Sequence, residues 1–124
     1  MRAKLTLGCI VMAAMAQTPD YAPRAADDAL ARGRAFVDST EIKDRALIVT
    51  GNTPTPCHQL RISVPARPDA SGTLAIEVYS VSGRGQICAQ VLKPFTVTVP
   101  LSDAQAQANS KITVNGKAAG LPTQ

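Results

Sequence analysis

Between residues 59 and 64 the chain alternates strictly: Leu60, Ile62 and Val64 are apolar, and Arg61 and Ser63 between them are polar. Successive side chains of a strand point to opposite faces, so this period of two predicts a strand with one side on a core and the other toward water. Residues 73–82 repeat the pattern, with Leu74, Ile76 and Val78 expected inward and Glu77 and Tyr79 outward. Residues 95–99 do so again with Thr96 and Thr98 outward. A short run at 46–50 precedes these strands, and Ile112 and Val114 supply the last clear one.

Turn-forming residues separate the runs at 52–56, 65–72, Ser82-Gly83-Arg84-Gly85, Lys93-Pro94 and 100–110. Gly83 and Gly85 can take positive φ, so residues 73–92 are expected to form a hairpin whose return arm turns Ile87, Ala89 and Val91 inward. Asn115-Gly116 is a type I′ signal that pairs 111–114 with a return through 117–121. Six or seven short strands in about 80 residues predict an all-β fold. The expected architecture is a single antiparallel β-sandwich of immunoglobulin-like type, with a small closed β-barrel as the alternative.

Residues 17–44 lack this period. They are rich in Ala, Arg and Asp, and Pro23 followed by Ala25, Ala26, Asp27 and Asp28 could open a helix, since carboxylates favour the first turn. Leu30, Phe36 and Val37 give only a thin apolar stripe, and Gly33 weakens a helix by about 1 kcal/mol relative to alanine. The expectation is a flexible or marginally helical leader ahead of a domain at 45–121.

The N-terminus has the form of an export signal: Arg2 and Lys4, an apolar run at 5–15, then Ala14 and Ala16 separated by one residue. Residues 1–16 are therefore read as a signal peptide cleaved after Ala16, its apolar run being shorter than the roughly 20 residues a membrane-spanning helix needs. Cys9 follows Leu7-Gly8 as a lipoprotein acceptor would, but the apolar run continues past it, which argues against a lipid anchor. Secreted or periplasmic location follows, with no integral membrane span. Loss of Arg2 and Lys4 lowers the basic count from 13 to 11 against 9 acidic residues. The remaining cations are scattered, and Tyr21, Phe36, Tyr79 and Phe95 are the only aromatic residues, so nucleic-acid binding has neither its basic patch nor its stacking platform.

In an oxidising compartment Cys57 and Cys88 are expected to pair, with two free thiols as the alternative. Cys57 shares the parity of outward Arg61, and Cys88 that of outward Gln90, so the bond is expected at an edge or end of the sandwich and not at its centre. His58 is the single histidine. It lacks the second cysteine of a haem attachment site, the second histidine of a copper site and the four ligands of a structural zinc site. A Cys57 nucleophile would have to stay reduced, and its neighbour His58 would point to the opposite face. No Gly-x-Ser-x-Gly elbow is present, and Gly83-Arg84-Gly85 lacks the lysine and helix of a phosphate loop. No catalytic, metal or cofactor site is expected.

Gly51-Asn52-Thr53-Pro54-Thr55-Pro56-Cys57-His58-Gln59-Leu60, Ile87-Cys88-Ala89-Gln90-Val91-Leu92-Lys93-Pro94-Phe95 and Val114-Asn115-Gly116 together resemble a small exported domain of environmental bacteria with no assigned activity. The resemblance covers residues 45–118 and implies an immunoglobulin-like sandwich with the two cysteines paired. A Gly-x-Tyr step expected before the last strand is absent at Asn109 to Lys111. The reading of the whole is a non-enzymatic binding or structural module whose partner is a protein or a cell-envelope component. The alternative is a protease inhibitor presenting the 82–86 tip, Gly83, Arg84 and Gly85, with Arg84 as its reactive residue.

Overall fold

A computed structural model of the chain describes residues 19–108 and 111–119. The expected export signal and Cys9 lie outside them, as does the end of the 117–121 return. Eight strands are described: β1 (Ala31–Arg34), β2 (Phe36–Lys43), β3 (Ala46–Thr53), β4 (Gln59–Ser63), β5 (Leu74–Ser82), β6 (Lys93–Pro100), β7 (Ile112–Val114) and β8 (Lys117–Ala118). A 3₁₀ turn, Ala25–Ala29, precedes them, and one helical turn, α1 (Asp103–Ala106), follows β6. The strands form a β-sandwich of two sheets, one of five strands and one of β2-β3-β6, and not a closed barrel.

The alternating residues form the core as expected. Leu47, Val49, Ile62, Leu74, Ile76, Val78, Val99, Ile112 and Val114 are all buried between the sheets, while Thr96, Thr98 and Glu77 face water. β3 lies between β2 and β6, with Leu47 opposite Val99 and Val49 opposite Val97. Gly51 of β3 passes so close to β2 that a Cβ there would collide with the Phe36 carbonyl.

Residues 31–43 depart from the expected leader: they are β1 and β2. Their alternation was hidden for two reasons. In β2 the register shifts between Val37 and Ser39, so the half-buried positions change from odd to even, to Thr40 and Ile42. In β1 the inward residue at the crowded position is Gly33, packed against Ser80 and His58, and it carries no hydrophobic signature.

β1 also explains why the expected 73–92 hairpin does not form. Residues 79–82 of β5 pair with β1 on one edge and residues 77–81 pair with β4 on the other. No edge is left for a return arm, and residues 86–92 have no regular structure. Ile87, expected inward, is 95% exposed, and Val91 and Leu92, further along the loop, are exposed too.

β7 runs parallel to β5 at Leu74, Ala75 and Ile76, on the same edge that β1 occupies further along. The two leave a break at Glu77 and Val78. The Asn115 side chain fills it: its Oδ1 accepts from the Val78 N–H at 2.8 Å and its Nδ2 donates to the Val78 carbonyl at 3.0 Å. Asn115 and Gly116, at φ 51° and 86°, form the expected two-residue turn from β7 to β8.

Candidate functional site

Two connections cross from one sheet to the other at the same end of the sandwich: residues 54–58, from β3 to β4, and residues 83–92, from β5 to β6. A disulfide between Cys57 and Cys88 joins them, with Cα atoms 6.2 Å apart. The bond is therefore an end staple, and Cys88 reaches it from a loop, not from a strand.

The 54–58 connection is organised by Thr55. The His58 N–H donates to the Thr55 carbonyl at 3.2 Å, closing a four-residue turn with Pro56 at the position its fixed φ suits. Thr55 Oγ1 accepts from the Cys57 N–H at 3.2 Å and lies 2.7 Å from His58 Nδ1 in a second hydrogen bond. Thr53 Oγ1 donates to the Thr55 carbonyl at 3.2 Å. His58 is thus a half-buried member of a turn, and its cysteine neighbour is consumed in the disulfide. Among the described residues no group of three or more His, Cys, Asp or Glu side chains is placed to hold a metal.

The 83–92 loop is built differently. The Gln86 N–H donates to the Gly83 carbonyl at 3.1 Å, and Gln86 Oε1 accepts from the Gly83 N–H at 3.1 Å. Gly85 has φ 72°, as the third position of this turn requires, and Arg84 stands exposed at its tip. The loop's other hydrogen bonds, Val91 N–H to the Ala89 carbonyl and Gln90 Nε2 to the Cys88 carbonyl, also stay within it. Its covalent tie to the opposite connection is Cys88. Ile87, Val91 and Leu92 of this loop are each exposed.

On the outer face of the five-stranded sheet, Arg61 points outward as its parity requires yet is only 2% exposed. Residues 20–29 cover it. Its Nε and Nη2 donate to the two carboxylate oxygens of Asp27 at 2.9 and 3.2 Å, and its remaining donors reach Gln59 Oε1 and the Leu60 and Asp20 carbonyls. The Arg61 guanidinium, with the Arg24 backbone N–H, holds the Asp27 carboxyl below its ordinary pKa. The Tyr21 carbonyl accepts from the Ile62 N–H at 2.8 Å on the edge of β4 away from β5. Nothing in the local pattern around Arg61 announced this partner 34 residues upstream.

Two open clefts flank the sandwich. One of ≈ 470 Å³ lies beside the disulfide end, lined by residues that include Tyr21, Arg24, His58, Lys93 and Phe95. The other, ≈ 830 Å³, opens between β2 and the β7–β8 turn, with Phe36, Val37, Val114 and Lys117 on its walls. Asp20 and Arg61 also line the first. Among the described residues no helix is long and apolar enough to cross a membrane.

Two sheets, a covalently joined pair of crossovers and an outward apolar loop define a disulfide-stapled β-sandwich domain. Residues 47–121 match the ORF11 beta-sandwich domain, and the chain belongs to that family. The matched span takes in β3 to β8, both cysteines and the Arg84 tip, and leaves β1 and β2 outside. No curated protein and no solved structure matches the chain.

Proposed function

We propose that this protein is a non-enzymatic binding module acting outside the cytoplasm, periplasmic or secreted, that contacts a protein or cell-envelope component through residues 83–92. The observation that carries the proposal is Ile87, 95% exposed on a loop that the disulfide fastens to the sandwich. An isoleucine this exposed is unfavourable in water and becomes favourable when a partner covers it, and Val91 and Leu92 of the same loop are exposed as well. Fastening the loop at Cys88 lowers the ordering entropy lost on contact. An export signal at 1–16, an immunoglobulin-like strand arrangement and a partner that is neither nucleic acid, metal nor cofactor are parts of the same proposal.

Affinity capture of the mature domain from its own envelope and medium tests it. A partner retained by the wild type and by Lys43→Ala, but lost with Ile87→Asp, is the expected result. An identical captured set with Ile87→Asp overturns the loop assignment. A robust hydrolase activity abolished by His58→Ala overturns the non-enzymatic reading.

The exposed Arg84 favours a second reading, a protease inhibitor presenting the 82–86 tip. The closed turn at Gly83 to Gln86 holds Arg84 on a tight bend instead of an extended strand, so the apolar loop takes precedence. If neither the wild type nor Arg84→Ala slows a trypsin-like protease, the inhibitor reading falls.

A further inference from the structure

An asparagine followed by glycine can lose its side-chain amide. The glycine backbone nitrogen attacks Cγ, a new N–C bond forms, the Cγ–Nδ2 bond breaks and ammonia leaves, giving a five-membered succinimide. Water then opens the ring to aspartate or isoaspartate. Glycine favours the attack because it has no side chain to crowd the nitrogen, and asparagine is accordingly among the thermolabile residues.

We propose that Asn115 is a site of spontaneous deamidation gated by the fold: protected while its carboxamide bridges β5 at Val78, and reactive once that bridge opens. Both polar atoms of the carboxamide are engaged, Oδ1 by the Val78 N–H at 2.8 Å and Nδ2 by the Val78 carbonyl at 3.0 Å. For Cγ to reach the Gly116 nitrogen, both bonds must break together. The turn geometry at φ 51° and 86° is the other constraint on the site, which is otherwise open to solvent. Asn115 and Gly116 are exposed, and no other group comes within 4 Å of where a Cβ on Gly116 would sit.

The product closes the break poorly. An aspartate side chain still accepts from the Val78 N–H, but its second oxygen faces the Val78 carbonyl, acceptor against acceptor. Isoaspartate lengthens the backbone by one carbon inside a two-residue turn whose register sets Val114 opposite Lys117. Either product leaves β5 with an unfilled break between β1 and β7, so each opening that leads to reaction favours further opening.

The test uses the intact chain, incubated at one mildly alkaline pH with and without unfolding concentrations of urea. Trypsin then cuts after Lys111 and Lys117, and the released peptide is followed by mass and chromatography. In urea it gains about one dalton and splits into two isomeric products. In the native state conversion is slower by roughly tenfold or more, the factor expected when two hydrogen bonds must open together. Equal rates in the two states, or no conversion in urea, overturn the proposal. A separate arm measures Asn115→Asp: a lower unfolding midpoint with faster hydrogen exchange at the Val78 amide is expected, and failure to fold supports the same reading of the product. An unchanged midpoint with Val78 still protected overturns it.

Discussion

Replacing both Cys57 and Cys88 by serine should leave the native sheets in place and remove most of what the disulfide contributes through the unfolded chain. The bond closes a loop of 31 positions. Loop-closure entropy for that length corresponds to about 3.7 kcal/mol at 25 °C. In a domain of this size that is a large share of the total, and it corresponds to a fall in thermal midpoint of roughly 15–30 °C. The geometry adds a prediction about place. The hydrogen bonds of the 83–92 loop remain inside the loop, and the cysteines join crossovers and not strands. Circular dichroism melts give the midpoint, and native-state hydrogen exchange at a temperature well below it gives the distribution. Protection should fall at 54–58 and 83–92 and hold at β3 and β5. A midpoint shift under about 5 °C would refute the entropic account. Loss of protection throughout β3 and β5 would show instead that the bond holds the native sheets together.

Three further outcomes follow from the packing. The depressed carboxyl of Asp27 contributes stability that is complete above the unfolded-state value of about 4 and is lost as pH falls through its lower folded value. Asp27→Asn should therefore lower stability at neutral pH and flatten the acid limb of a midpoint-against-pH curve; an unchanged acid limb would remove Asp27 from that account. Gly51→Ala forces a methyl group onto the Phe36 carbonyl, and overpacking of this kind costs about 1–3 kcal/mol, readable by urea titration. Ile76→Ala, at 1% exposure between the sheets, should cost about 2–5 kcal/mol in the same assay.

The strands with one face on the core were legible because water enforces their alternation. β4, β5, β6 and β7 follow Leu60 and Ile62, Leu74 to Val78, Val97 and Val99, and Ile112 and Val114. β2 was not, because the bulge between Val37 and Ser39 changes which parity points inward, and β1 was not, because its crowded inward position is a glycine. With β1 unannounced by any alternation, the edge of β5 that it fills reads as free for a return arm. Once residues 31–34 and 59–63 occupy its two edges, the apolar residues at 87, 91 and 92 have no sheet to join. The end position of the disulfide was legible from parity at Cys57, although Cys88 arrives there through a loop. The turn at Asn115-Gly116 was legible from its residues. The use of its carboxamide to bridge a break between two strands was not, since that depends on β1 and β7 sharing one edge of β5.

The pairing of Ala31 with Ser82 and Arg34 with Tyr79 also sets a schedule for the nascent chain. At ordinary rates of synthesis, roughly 2–10 s separate the appearance of β1 from that of the strand it joins. β2 can meet β3 almost at once, across the short step at Asp44 and Arg45. Until residues 79–82 are available, β1 lacks the strand edge it occupies in the fold, although β3 is already there for β2. An unpaired strand edge is a template for another chain, so that delay is an interval of exposure particular to β1.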